Sequence, residues 1–276
     1  MNRLPLLLSA FLILLISSAC YEDNIACLDA DATNFDILAD EACPDCCVYP
    51  SFSLDVDRIW GDTTLFTDST YQDGAGNDFR LIRFRVYLSG LGLLATGREL
   101  PIPENQVEVG IITSTDTVLT VINTNIALLS ATSSSTSSTI GRLRVGTDSL
   151  TQLRGTFGLV EEYMAVYPAS APAASPLSTQ VGLLNFNDGE GYLSASAEYV
   201  LTATNDTARI DIRGLQPFTL DFTDPEAPQR GVNLTVELEA DYQRIFGTID
   251  LSAGETTVAD GISAGLLDWL RVVGVR

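Results

Sequence analysis

The chain has 276 residues with 36 acidic against 15 basic side chains, a net charge of −21, and every basic residue is an arginine. A surface of that sign repels nucleic acid and anionic membrane, both of which select basic patches. Histidine is absent, which excludes Ser-His-Asp and Cys-His catalysis and histidine-ligated zinc, copper or non-haem iron, and leaves carboxylate chemistry and oxygen-ligated calcium.

The N-terminus opens MNRLPLLLSAFLILLISSAC. One arginine precedes an apolar run of about 13 residues, Leu4 to Ile16, and small residues follow. That is the layout of a secretory signal, and the run is short of the ~20 residues a spanning helix needs. Ile16-Ser17-Ser18-Ala19-Cys20 resembles a bacterial lipobox, with Ser17 where leucine is usual. Residues 1–19 are therefore read as a lipoprotein signal peptide and Cys20 as the lipidated first residue of the mature chain. Tyr21-Glu22-Asp23 resembles the surface-export signal of Bacteroidetes lipoproteins. The expected location is the outer membrane or cell surface, with lipid as the membrane contact.

Residues 20–50 form the lipidated N-terminus and a cysteine-rich module. Outside the cytoplasm thiols tend to be oxidised. Cys27, Cys43, Cys46 and Cys47 can make two disulfides, and adjacent Cys46 and Cys47 are poor partners for each other. Two connectivities remain: Cys27–Cys47 with Cys43–Cys46, or Cys27–Cys46 with Cys43–Cys47. Asp29, Asp31 and Thr33 alternate as the early positions of a calcium loop do, so Asp29 and Asp31 are candidate metal ligands and calcium the candidate ion. The glycine and the bidentate glutamate of an EF-hand are both missing.

After Pro50 the pattern turns strand-like. Ser51-Phe-Ser-Leu-Asp-Val-Asp alternates apolar and polar residues. Phe79 to Ser89 reads as a long strand with Phe84, Val86 and Leu88 on one face and Arg83 and Arg85 on the other. Further strands are expected at 107–112, 118–122, 141–145, 152–159, 191–203, 209–213, 218–222 and 232–241. Turn residues separate them, as at Asp73-Gly-Ala-Gly-Asn and Asn187-Asp-Gly-Glu-Gly. The low-complexity stretch 130–139 and the proline-rich 167–176 read as exposed loops. One helix is expected near the end, with Ile262, Leu266, Trp269, Leu270 and Val273 on its apolar face. The fold class is all-β: an antiparallel β-sandwich over residues 51–276 with a C-terminal helix, preceded by the stapled module.

Cys27, Asp29, Ala32, Asn34-Phe35 and Cys47-Val-Tyr49-Pro50 follow the order of a short repeat in secreted Bacteroidetes proteins, which the module resembles. That resemblance implies Cys27–Cys47 as one bridge and Cys43–Cys46 as a small second loop. Tyr71-Gln-Asp-Gly-Ala-Gly-Asn-Asp-Phe-Arg-Leu-Ile-Arg-Phe-Arg-Val-Tyr-Leu-Ser holds a tyrosine, an Ala-Gly turn and a strand ending in Tyr-x-Ser. With Leu153-Arg-Gly-Thr-Phe-Gly-Leu, Gly191-Tyr192 and Val232–Leu251, it resembles the MbnP-like family of exported β-sandwich proteins. The family's copper sites use histidines with an oxidised tryptophan. No histidine is present here, and the segment before Gly191-Tyr192 reads Leu183-Leu-Asn-Phe-Asn-Asp-Gly-Glu. Trp60 and Trp269 are read as core residues. The resemblance implies the fold but not the copper.

The functional expectation is a lipid-anchored, exported cell-envelope protein, non-enzymatic, whose sandwich is a binding or structural module. Its partner would be a cell-surface protein or glycan, not nucleic acid. The alternative is a metal-binding module, with calcium ahead of copper.

Overall fold

The computed structural model describes residues 22–102, 105–113, 116–132, 138–179, 186–187 and 190–276. The signal peptide and Cys20 lie outside them, as do residues 133–137 of the low-complexity stretch and Asp188-Gly189 of the 187–191 turn.

The sandwich begins with β1 (Ser51–Trp60), whose alternation places Phe52, Leu54 and Val56 in the core. The longest strand, β2 (Asp78–Ala95), follows. Phe84, Val86 and Leu88 face the core, as the period-two pattern predicts, while Arg83 and Arg85 are half-buried. A hairpin comes next, β3 (Asn105–Ile112) and β4 (Thr117–Thr124), then β5 (Ile126–Ser130), β6 (Ser138–Arg142) and β7 (Leu150–Phe157). The C-terminal third supplies β8 (Ala195–Leu201), β9 (Asp206–Ile212), β10 (Gln216–Glu226), β11 (Leu234–Asp241), helix α1 (Glu255–Trp269) and β12 (Leu270–Val275).

One sheet runs β9-β8-β2-β7-β10, with β5 also on β2; the other runs β6-β1-β11-β12. All named pairs are antiparallel except β1 with β11, which run parallel from Phe52 opposite Leu234 to Ile59 opposite Asp241. The inner faces and α1 bury one large core. Phe84 packs edge-on against Tyr242, Phe246 and Trp269. Trp269 is a core residue, as expected, and Trp60 is partly buried and stacks on Tyr71 at 4.3 Å.

Three expectations need correction. The helix ends at Trp269, so Leu270 and Val273 lie on a strand; the β-branched run Val272-Val273-Gly-Val275 suits a pleated pairing with β11. The strand expected at 141–145 ends at Arg142, because Leu143 N–H donates to Pro50 O at 2.8 Å and the chain then leaves the sheet. The strand expected at 191–203 is divided into Gly191–Tyr192 and β8.

The proline-rich excursion is ordered by its surroundings. Tyr87, on the outer face of β2, heads a second core with Val109, Leu159, Tyr163, Val166, Leu177 and Tyr192. Three tyrosine hydroxyls pin backbone there: Tyr87 donates to Pro176 O, Tyr192 to Leu177 O and Tyr163 to Asn123 O. Burial raises the phenol pKa of Tyr87 and of Tyr192, so both stay donors. No helix among the described residues is long and apolar enough to cross a membrane.

Candidate functional site

The cysteine module carries the densest set of charged groups that the sequence singled out. Cys27 and Cys47 are bridged, across a sequence separation of 20. Cys43 and Cys46 are free thiols, so the second bridge implied by the resemblance is absent. Pro44–Cys46 is a 3₁₀ turn, and it sets the Cys46 thiol 2.9 Å from the Cys43 carbonyl oxygen as a donor. A hydrogen bond involving Cys43, followed by burial, pushes the Cys46 thiol pKa up.

Between the bridged cysteines the backbone turns on asparagine and aspartate side chains. Asn34 donates from Nδ2 to Cys46 O and accepts from Val48 N–H, both at 2.8 Å. Asp29 Oδ1 accepts the Asp31 N–H at 3.0 Å, the local turn that this residue type favours. The other Asp29 oxygen accepts from Tyr49 OH at 2.9 Å and from Arg144 at 2.8 Å. Asp31, 6 % exposed, receives two guanidiniums: Arg230 Nε on Oδ1 at 2.5 Å and Arg144 Nε on Oδ2 at 3.3 Å. The Asp31 amide, then Tyr49 and the arginines, hold the Asp29 carboxyl below the usual carboxylate range against the opposing effect of burial. The same contact raises the Tyr49 phenol, and Asp29 raises Arg144.

Arg144 follows β6 and Arg230 lies in the turn before β11, so both belong to the sandwich. Arg142 adds a hydrogen bond to Tyr49 O at 2.9 Å, and Arg144 also sits over the Tyr49 ring. Gly231 makes the fit close: its φ is +69°, and a Cβ there would meet Ala32 O at 2.9 Å. The two aspartates read as calcium ligands are brought together, as that reading requires. Each of their four oxygens, however, accepts a donor, and three of the four face an arginine or tyrosine. Calcium would have to displace guanidinium. Among the described residues no group of three or more cysteine, aspartate or glutamate side chains is placed to hold a metal ion.

The arrangement is an ionic latch that docks the module on the sandwich. Its carboxylates are mostly buried while Arg144 and Arg230 stay about half open to water, which moderates the strength of the pairs. Asp31→Ala is expected to lose about 1–2 kcal/mol of docking. The measurement is amide exchange, faster through residues 24–48 and unchanged in the sandwich core. Unchanged exchange in the module would mean that the arginines do not hold it.

Sequence reasoning missed Arg142, Arg144 and Arg230. A signal was present in Gly141-Arg-Leu-Arg-Val, where both arginines fall on one side of a period-two run bearing buried Leu143 and Val145 on the other. Arg230 gave none, because its pairing with Asp31 spans 199 residues.

A second buried carboxylate organises the sandwich end of the 73–77 turn. Asp73, 6 % exposed, accepts N–H bonds from Ala75 and Asn77 on Oδ1, and from Asn77 Nδ2 and Leu251 N–H on Oδ2, all within 2.9 Å. Gly74 donates to Ile249 O at 2.7 Å, and a Cβ at that position would meet the Thr248 carbonyl carbon at 2.5 Å. The turn is thus fastened to the segment before α1. Every acceptor on Asp73 is engaged in structure.

Comparison with known proteins gives one family and one similar structure. A search of curated proteins finds no match. The structure of MbnP from Methylosinus trichosporium is similar over 74 % of this chain and 81 % of that one, at 14 % sequence identity and a TM-score of 0.46. The MbnP family model matches residues 49–260. That match starts where the cysteine module ends and takes in the sandwich up to the first turns of α1; the chain belongs to the MbnP family.

Proposed function

We propose that this chain is a lipid-anchored, exported cell-envelope protein whose MbnP sandwich serves as a non-catalytic binding or structural module. The observation that carries this reading is how the structured carboxylates are used. Asp29, Asp31 and Asp73 are each engaged by donors from the chain itself, which makes them parts of the scaffold. The absence of histidine from the sequence supports the same view, as does the lipobox-like run ending at Cys20. The partner in this reading is a protein or glycan of the cell surface, met by the loops of the sandwich.

Two measurements test it. Natively expressed protein is expected in the membrane fraction with an acyl mass on the peptide starting at Cys20, and Cys20→Ser is expected to release it. Calorimetric titration of the mature chain with calcium and with copper, each alone, is expected to give no stoichiometric binding. Calcium binding that disappears on changing Asp29 and Asp31 would overturn the scaffold reading and put a metal-binding module in its place. Stoichiometric copper binding would do so through other ligands.

A further inference from the structure

One loop of the module, residues 36–40, carries strongly exposed apolar side chains between its aspartates. Ile37 and Leu38 are the most exposed large apolar side chains among the described residues, at 77 % and 80 %, and Ile25 follows at 60 % among those of the module. The segment that carries Ile25 is tied to the loop that carries Ile37 and Leu38. Asn24 donates from Nδ2 to Leu38 O at 3.3 Å and to Asp36 at 3.1 Å, and its N–H donates to Asp40 at 2.9 Å. Asp36 also accepts the Leu38 N–H at 2.8 Å. The acids of this loop are therefore engaged by Asn24 and by the loop backbone, while Ile37 and Leu38 project. A tip of this kind on a free surface is a liability that a soluble protein avoids.

The covalent geometry gives the tip an occupant. Only Tyr21, Glu22 and Asp23 separate Cys20 from Asn24, so Asn24 lies within about 14 Å of Cys20 along the chain. Asn24 is the residue that clasps the tip. We propose that Ile25, Ile37 and Leu38 seat in the lipid interface directly beneath the acylated Cys20, so that the module is a foot standing on an uncharged lipid surface. This rests on the lipid-anchor reading above. Apolar side chains a few residues from the acylated cysteine add a second membrane contact beside the lipid itself. Asp36 and Asp40 in the loop, with Glu22 and Asp23 just before Asn24 in the chain, favour zwitterionic over anionic lipid. The latch makes the contact consequential: with Asp29 and Asp31 fixed to Arg144 and Arg230, a seated foot sets the direction in which the sandwich points.

The test uses the full chain, purified with its lipid and reconstituted in phosphatidylcholine vesicles with brominated acyl chains. Leu38→Trp places a fluorophore at the tip, and Leu119→Trp places one on β4, an exposed strand of the β3–β4 hairpin outside the module. The wild-type signal from Trp60 and Trp269 is subtracted. The expected result is a blue shift and loss of intensity at position 38, with position 119 as bright as in unbrominated vesicles. An acylated protein that floats with the vesicles yet keeps full intensity at position 38 overturns the foot and leaves the anchor standing. Equal quenching at both positions also overturns it, since the contact would then not be specific to the tip. A Cys20 peptide without acyl mass overturns the anchor and the foot together.

Discussion

Asp73→Ala is expected to destabilise the sandwich by about 3–5 kcal/mol, the cost of leaving buried donors without their charged acceptor. The four donors come from two segments, 75–77 and 251, so the substitution loosens both the turn entering β2 and the approach to α1. Urea denaturation at pH 7 measures it as a lower midpoint with little change in slope. The effect has a defined pH dependence. Burial pushes the Asp73 carboxyl up, but the donors from Asn77, Leu251 and Ala75 outweigh it and hold the pKa below the usual carboxylate range. A depressed folded pKa means that the stabilisation is complete above the unfolded value of about 3.9 and is lost as pH falls through the folded one. The gap between wild type and Asp73→Ala should therefore be constant from neutral pH to about 4 and close below it. A gap that persists unchanged into strong acid would show that the carboxylate charge is not what the donors stabilise.

The second large effect is on the module. Cys27→Ser with Cys47→Ser removes a cross-link spanning 20 residues, a loss of about 3 kcal/mol. The module has little else to hold it. Cys27 and Ala32 are its only buried apolar side chains among residues 22–48, and what else holds it is the latch, backbone turns and a short pairing of 25–26 with 41–42, and hydrogen bonds from Asn24, Thr33 and Asn34. Small units without a core depend on such staples. The double variant is expected to be cut by protease within residues 28–46 while the thermal transition of the sandwich stays in place. A module that remains protected would assign its stability to the latch instead. Reducing agent should reproduce the variant, because Cys43 and Cys46 are already thiols.

The layers of the fold were legible because period-two patterns survive wherever one face of a strand is buried. β1 and β2 illustrate this, with Phe52, Leu54, Val56, Phe84, Val86 and Leu88 all inward. β5 was overlooked, since Ile126-Ala-Leu-Leu has apolar residues on both faces: Leu129 faces the main core and Ile126 the second. Val273 was assigned to a helix face because a 3.6-residue spacing and a strand of alternating burial coincide over so short a run. For the module, the residue types were legible but their partners were not. Aspartates at alternate positions suit calcium and guanidinium equally, and the choice is made by Arg144 and Arg230, which the fold brings from 113 and 199 residues away from Asp31.

The parallel pairing of β1 with β11 has a kinetic side. The N–H of Ser51 bonds the side chain of Asn233, 182 residues later, and β1 lies between β6 and β11. One central strand of the smaller sheet thus waits for the C-terminal quarter of the chain before its ladder can close. Contacts of that sequence separation carry a large loop-closure cost and slow the rate-limiting step. A polypeptide threaded through a pore from its N-terminus would keep β1 unpaired on one edge until almost all of it had crossed. The topology leaves the β11 edge of β1 open during that interval, the kind of unpaired edge that makes a partly folded chain prone to aggregate.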